Sequence, residues 1–197
     1  MFQQLENIER LTRDPERPIQ FIFAGKAHPR DDEGKRYIQY VIHLSKYSDL
    51  KGHLVFLENY DIHVARQMVS GCDVWLNTPR RPLEASGTSG MKSGTHGSLN
   101  LSILDGWWRE GYDGSNGFAI GEDAHASSVE EQDKVDSANL YKVLTQDVIP
   151  LFFQRDAQGI PRQWIQRIRR AVVTLVPQFT TARMVREYTE KYYLPKT

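Results

Sequence analysis

Glu84-Ala85-Ser86-Gly87-Thr88-Ser89-Gly90-Met91-Lys92-Ser93-Gly94-Thr95-His96-Gly97-Ser98-Leu99-Asn100-Leu101-Ser102-Ile103-Leu104-Asp105-Gly106 sets the reading of the whole chain. It opens on a carboxylate and passes through a run of tiny residues to Lys92. A second glycine pair, Gly94 and Gly97, leads into the apolar strand pattern Leu99, Leu101, Ile103. Small residues let a backbone come close to a ligand. The N–H groups at a helix start form a site for an anion. Ser86 and Thr88 add hydroxyls. A lysine just inside such a turn can serve as a phosphate point charge or, when desolvated, as an amine nucleophile. A flexible Gly/Ser loop with a solvated lysine has the same composition, because tight turns collect these residues too.

Upstream, the pattern alternates strands and helices. Phe2, Leu5, Ile8 and Leu11 predict a helix over residues 1–13, which Pro15 and Pro18 close. Ile19 to Ala24 is a β-rich apolar run ended by Gly25. Asp31, Asp32 and Glu33 stand where acids favour a helix start, and Tyr37, Ile38, Val41, Ile42 and Leu44 supply an apolar face. His53 to Glu58 is a second strand. A helix through Val64, Ala65, Met68 and Val69 follows and ends at Gly71. Asp73 to Asn77 is a third strand, joined to the opening stretch by the rigid loop Thr78-Pro79-Arg80-Arg81-Pro82. Strand, helix, strand, helix, strand argues for right-handed crossovers and a mostly parallel sheet, an α/β fold.

Downstream, Trp107-Trp108 and the turn-rich Gly111 to Gly117 lead to a short strand at Phe118-Ala119-Ile120. Glu122 to Asp136 reads as a surface loop or helix start. Helical segments then fill the C-terminus from about 137 to 194, two pieces meeting near Pro150. In the helix from Pro161 to Leu175, Trp164, Ile168, Ala171, Val172 and Leu175 are inward. Arg167, Arg169 and Arg170 are expected to face water, and Pro177 to end the helix. A last helix runs from Thr180 to Tyr193. We read residues 1–197 as one domain.

Composition narrows the function classes. The 197 residues are 40% hydrophobic and 25% charged, with a formal net charge of +0. That balance fits a globular domain and gives no bulk attraction for nucleic acid or an anionic membrane. No apolar run approaches the ~20 residues that span a bilayer. The N-terminus lacks the pattern of a secretory signal, and Cys72 is the only cysteine, so a cytoplasmic location is expected. Cys72 reads as a small packed side chain rather than a nucleophile. The spacing of Gly87, Gly90 and Lys92 is wrong for a nucleotide phosphate loop, and no G-x-G-x-x-G follows the first strand. No histidine or cysteine pairing suggests a metal, and no G-x-S-x-G is present. Arg80-Arg81 is a candidate phosphate binder. Trp107-Trp108 reads equally as a sugar-stacking platform or as packing. Open parallel sheets bind ligands beyond their carboxyl ends. Gly25-Lys26, Asn59-Tyr60-Asp61 and Glu84 to Lys92 all follow predicted strands, so they are expected to meet in one crevice.

These segments carry a resemblance. Ala24-Gly25-Lys26-Ala27-His28-Pro29, Phe56-Leu57-Glu58-Asn59-Tyr60, Glu84 to Lys92 and Leu99 to Trp108 resemble, in order, the C-terminal part of α-glucan (glycogen, starch or maltodextrin) phosphorylases, of the bacterial and archaeal branch. The likeness covers essentially the whole chain, and its E-A-S-G-T-S-G-M-K segment is highly specific. It implies a Rossmann-like three-layer α/β/α domain, the C-terminal half of a GT-B glycosyltransferase fold. It implies pyridoxal 5′-phosphate held as a Schiff base on Lys92, with Thr88 and the backbone of Gly87, Ser89 and Gly90 at the cofactor phosphate. It further implies Tyr60 and Ile62 along the cofactor ring, and Glu84, Ser86 and Gly87 against the transferred glucose. The reaction implied is reversible phosphorolysis of terminal α-1,4-glucosyl units to glucose 1-phosphate. The partners implied are α-1,4-glucan, glucose 1-phosphate and inorganic phosphate; no metal is implied.

Two departures qualify the likeness. Ser93-Gly94-Thr95-His96 stands where the family has an apolar segment ending in Asn, and Gly94 costs a short helix ~1 kcal/mol relative to Ala. The family's substrate-phosphate residues and its N-terminal domain lie before the point where this chain begins. The lone chain is therefore expected to be inactive, and an apolar face left without its neighbour is expected to favour self-association or the missing half. Two rival readings stay open: a non-catalytic sugar- or partner-binding remnant of the fold, and a GT-B domain using a nucleotide sugar. Lys92 argues against the second.

Overall fold

A computed structural model describes residues 5–47, 49–122 and 127–194. The strand pairs are all parallel and helices flank them, so the fold is α/β as expected. The chain divides into two compact units, residues 1–68 and 69–197. Strand pairing divides with it, into ladders of two and three strands.

The first unit contains α1 (Leu5–Thr12), β1 (Phe21–Ala24), α2 (Asp32–Tyr47) and β2 (Leu54–Leu57). β1 and β2 run parallel with Phe21 opposite Leu54 and Ala24 opposite Leu57. A parallel pair needs a crossover, and α2 supplies it while packing on β2. Ile8, Leu11, Val41, Leu44, Leu50 and Leu54 are buried. Tyr37, expected on the apolar face of α2, is instead exposed. The parallel register sets Gly25-Lys26 and Glu58 to Asp61 at the same end of this ladder. Asn59 there takes φ 57°, a left-handed conformation that Asn tolerates better than most residues.

Helix α3 (Ile62–Gly71) leads into the second unit, which holds β3 (Val74–Asn77), α4 (Thr88–Gly94), β4 (Leu99–Ile103), α5 (Trp107–Gly111) and β5 (Phe118–Ile120). β4 is central, and all five of its residues are buried. It reads Leu-Asn-Leu-Ser-Ile, polar at alternate positions yet covered on both faces. α8 (Arg162–Gln178) packs on α4 and β4, with Trp164, Ala171 and Leu175 buried. α6 (Val129–Val143) packs on β5 and begins earlier than residue 137. Ser128 starts it: its hydroxyl accepts from the Glu131 N–H at 3.2 Å, and the Glu131 carboxylate accepts from the Ser127 N–H at 3.1 Å, a reciprocal cap. A π-helical turn, Leu144–Val148, joins α6 to α7 (Ile149–Phe153), with Pro150 in the first turn of α7. The chain ends in α9 (Thr181–Tyr188) and a second π-helical turn, Thr189–Tyr193.

Three expectations change here. α8 runs through Pro177 to Gln178. Proline in the last turn removes one bond, to the carbonyl of Val173, and Val173 is exposed enough for water to replace it. Arg167 does not face water freely: its Nη1 donates to the Gly117 carbonyl at 2.5 Å and its guanidinium lies 4.6 Å from the Phe118 ring centre. Arg170 pairs with Asp113 at 2.8 Å. Trp107 and Trp108 are core side chains, 3% and 0% exposed, and Trp108 Nε1 donates to the Phe118 carbonyl at 3.1 Å. That burial favours packing over stacking on a ligand.

Candidate functional site

The parallel order β3-β4-β5 brings three connections to one edge of the second unit. They are residues 78–87 after β3, Leu104 to Gly106 after β4, and Gly121-Glu122 after β5. Hydrogen bonds tie them together. The Asp105 carboxylate accepts from the Glu84 N–H at 3.0 Å and from the Gly106 N–H at 3.0 Å. The Trp107 N–H donates to the Ser86 carbonyl at 2.8 Å. Glu84 to Ser86 is thus clamped against the β4–α5 turn.

Glycine makes the clamp possible at two points. Gly106 has φ 52°, and a Cβ there would sit 2.7 Å from the Ser86 carbonyl oxygen and 3.0 Å from Glu84 Cγ. Gly87 has φ 85° and would place a Cβ 3.1 Å from the Trp107 ring. The Glu84 stem crosses these two bare backbones, and its side chain is half-buried.

Gly87 also precedes α4, and no side chain among the described residues caps that helix. Gly90 N–H turns back to the Gly87 carbonyl at 3.2 Å. Thr88 and Ser89 therefore carry the first-turn N–H groups, which a helix leaves without carbonyl partners of its own. The Ser89 hydroxyl accepts from Trp75 Nε1 at 3.3 Å, so β3 fixes it. Lys92 is one turn beyond Thr88, and its Nζ donates to Thr88 Oγ1 at 3.4 Å. Both side chains are exposed. Below them, Ser93 is fully buried with its hydroxyl on the Gly90 carbonyl at 2.9 Å, which anchors the far side of α4.

Of the expected site residues, Glu84, Ser86, Gly87, Thr88, Ser89, Gly90 and Lys92 lie together in the second unit; Tyr60 and Ile62 belong to the first. Tyr60 is half-buried, and Ile62 is 77% exposed at the start of α3. The Arg80-Arg81 pair is not free for an anion. Arg80 reaches Asp133 with Nε at 3.0 Å and Nη2 at 2.8 Å, and Arg81 Nη2 reaches Asp136 at 2.9 Å. Cys72 behaves as expected: burial pushes its thiol up, and it meets Ser98 Oγ at 3.3 Å.

Sequence reasoning missed Asp105, which organises the edge. Its signal was an Asp-Gly pair directly after a strand. It also missed Asn100, 2% exposed, whose amide nitrogen and oxygen have no hydrogen-bond partner among the described residues. Asn100 Oδ1 lies 2.8 Å from where a Gly90 Cβ would be. No periodicity signals a polar residue in the middle strand of a buried ladder.

The chemistry of this edge is an amine and a hydroxyl on one exposed helix face, beside first-turn N–H groups and a clamped carboxylate. That donor set fits a ligand with both an aldehyde and a phosphate. No cluster of metal-binding side chains occurs among the described residues, and no described helix is long and apolar enough to cross a membrane.

Comparison with known proteins gives a consistent answer. A family profile described as carbohydrate phosphorylase matches residues 1–190. The glycogen phosphorylase of Mycobacterium tuberculosis is 47% identical over 195 residues, 99% of this chain and 23% of that protein. The maltodextrin phosphorylase of Thermococcus litoralis is 46% identical over 189 residues, 96% of this chain and 22% of that protein. The glycogen phosphorylase of Aquifex aeolicus is 45% identical over 194 residues, covering 98% and 28%. The chain spans about a quarter of the length of these relatives.

Proposed function

Since the chain belongs to the carbohydrate phosphorylase family, we propose that residues 1–197 form the pyridoxal-phosphate-bearing domain of an α-glucan phosphorylase. The complete enzyme would transfer terminal α-1,4-glucosyl units of a glucan to inorganic phosphate, giving glucose 1-phosphate. The observation that carries this reading is the placement of Lys92 Nζ 3.4 Å from Thr88 Oγ1, beside the Gly87 turn and eight positions after the clamped Glu84.

Each residue has a physical task. Lys92 would hold the cofactor through its amine. The Thr88 hydroxyl and the Thr88 and Ser89 N–H groups, at the positive end of α4, would hold its phosphate. Gly87 and Gly90 let this turn pack against Trp107, with Gly87 also against Glu84 and Gly90 against Asn100. Pyridoxal phosphate held there would contribute a phosphate group able to act as proton donor beside the substrate phosphate. The Glu84 carboxylate accepts hydroxyl hydrogens from the glucose unit, with Ser86 and Gly87 beside it. A carboxylate fixed on the glucose hydroxyls would reject sugars lacking the matching hydroxyl.

The reading predicts saturable uptake of pyridoxal phosphate, read by absorbance and by equilibrium dialysis. Thr88→Val is expected to weaken uptake about tenfold, as one lost hydrogen bond to a charged group implies, and Lys92→Ala to abolish the absorbance of the attached form. Wild-type uptake identical to that of Lys92→Ala would remove the assignment.

A further inference from the structure

Arg80 and Arg81, a candidate phosphate-binding pair by sequence, have both side chains committed elsewhere. Arg80 grips Asp133 and Arg81 grips Asp136, two carboxylates three residues apart on α6, so they stand one turn apart on neighbouring parts of one helix face. Arg81 Nη1 also donates to the carbonyl of Glu122, which follows β5. The Arg81 and Asp136 side chains are 6% and 10% exposed.

Only Pro82 and Leu83 separate this grip from Glu84, whose own N–H is fixed by Asp105. Leu83 N–H closes back onto the Arg80 carbonyl at 2.8 Å. The Leu83 side chain is 77% exposed, so packing does not hold the segment. Polar contacts must do so. The Arg81–Asp136 pair is also poorly made for stability alone. Arg81 Nε is buried with no partner among the described residues. A buried ion pair that leaves a donor unsatisfied gains little over an apolar pair of the same volume, yet it fixes direction in a way that apolar contact does not.

We infer that Arg81 and Asp136, with Arg80 and Asp133 beside them, form a latch that positions Glu84 for the glucose unit. The inference deepens the proposed function and rests on its reading of Glu84. Arg81 and Asp136 are positioning residues: they act through three backbone links and touch no ligand themselves. The latch fixes one side of Glu84, and the Asp105 and Trp107 clamp fixes the other.

Two variants of the full 197-residue chain test this by hydrogen–deuterium exchange with mass spectrometry. Asp136→Asn removes the charge, and Arg81→Met combined with Asp136→Leu replaces the pair by apolar groups. The double variant covers the case in which Asp136→Asn does not fold. Exchange at residues 83–87 is expected to rise about tenfold or more in both, with Leu99–Ile103 unchanged. The double variant is expected to melt at or above the wild-type temperature while still failing to protect residues 83–87. If the double variant restores protection together with stability, or if residues 83–87 exchange at the wild-type rate in both variants, the latch is packing only and the inference falls. Pyridoxal-phosphate labelling of Lys92 in the same samples reads the proposed function separately. Wild type that fails to label loses that function, while the exchange result still decides whether the latch exists.

Discussion

Two glycines of one short helix have opposite meanings at the residue scale. A Cβ on Gly90 would meet Asn100 Oδ1 at 2.8 Å and the Trp107 ring at 2.9 Å, whereas a Cβ on Gly94 would meet nothing within 4 Å. Gly90→Ala is therefore expected to destabilise the protein by about 1–3 kcal/mol through overpacking. Gly94→Ala is expected to stabilise it by about 0.5–1 kcal/mol by removing the helix cost of glycine. Denaturant titration of the two variants reads both signs. Equal effects would mean that α4 does not lie against Asn100. By sequence Gly90 belonged to a run of small residues suited to a ligand, and Gly94 was a cost to the helix. Their difference in packing was illegible because it depends on side chains from β4 and α5, brought in by the parallel ladder. The same holds for Asp105, which works through the backbone of a residue 21 positions earlier in the chain.

Local pattern was a good guide to the elements and a poor guide to their charged faces. Strands 21–24, 54–57, 74–77, 99–103 and 118–120 fall inside the apolar runs that suggested them, because β-branched and aromatic residues bounded by Gly or Asn are a short-range signal. The arginines were misjudged because their partners are distant: Arg80 and Asp133 are 53 positions apart, and Arg170 and Asp113 are 57. α9 shows charge acting over short range. Glu187 accepts from Lys191 at 2.8 Å and from Arg183 at 2.5 Å, and these contacts, Lys191 first, lower its carboxyl to about 2. The folded-state value is below the ordinary one of 4.5, so its contribution is complete above the ordinary value and is lost as pH falls towards about 2. Helicity of α9 is expected to fall between those limits in wild type and to lack this step in Glu187→Gln. Amide exchange or NMR shifts across residues 181–193 would show it. Because the Arg183, Glu187 and Lys191 side chains keep 38%, 30% and 60% of their surface in water, added salt should weaken the step.

At the scale of the molecule, the alternation of strands and helices was enough to give the α/β class. It was not enough to give the division of pairing into β1–β2 and β3–β4–β5, since which strands pair is a non-local property that runs of apolar residues do not encode. The active-site reading came from one segment, Glu84 to Lys92, whose residues the second unit does hold along one edge. The chain spans about a quarter of its relatives, so we propose that turnover needs groups outside these 197 residues. Positioning of bound reactants supplies roughly 7–11 kcal/mol of catalysis in favourable cases, and half a site cannot provide it. The lone chain is expected to release no glucose 1-phosphate from maltodextrin and phosphate; steady turnover in a coupled assay would show that the site is more complete than proposed.

The proposed role of Lys92 as the cofactor lysine is open to a covalent test. Pyridoxal phosphate is added to the folded chain, the product is reduced with borohydride, and the peptides are mapped by mass spectrometry. One modified peptide is expected, the one containing Lys92, with the label lost in Lys92→Ala. A clean reduction that leaves Lys92 unmodified, or that marks exposed lysines without preference, would contradict it.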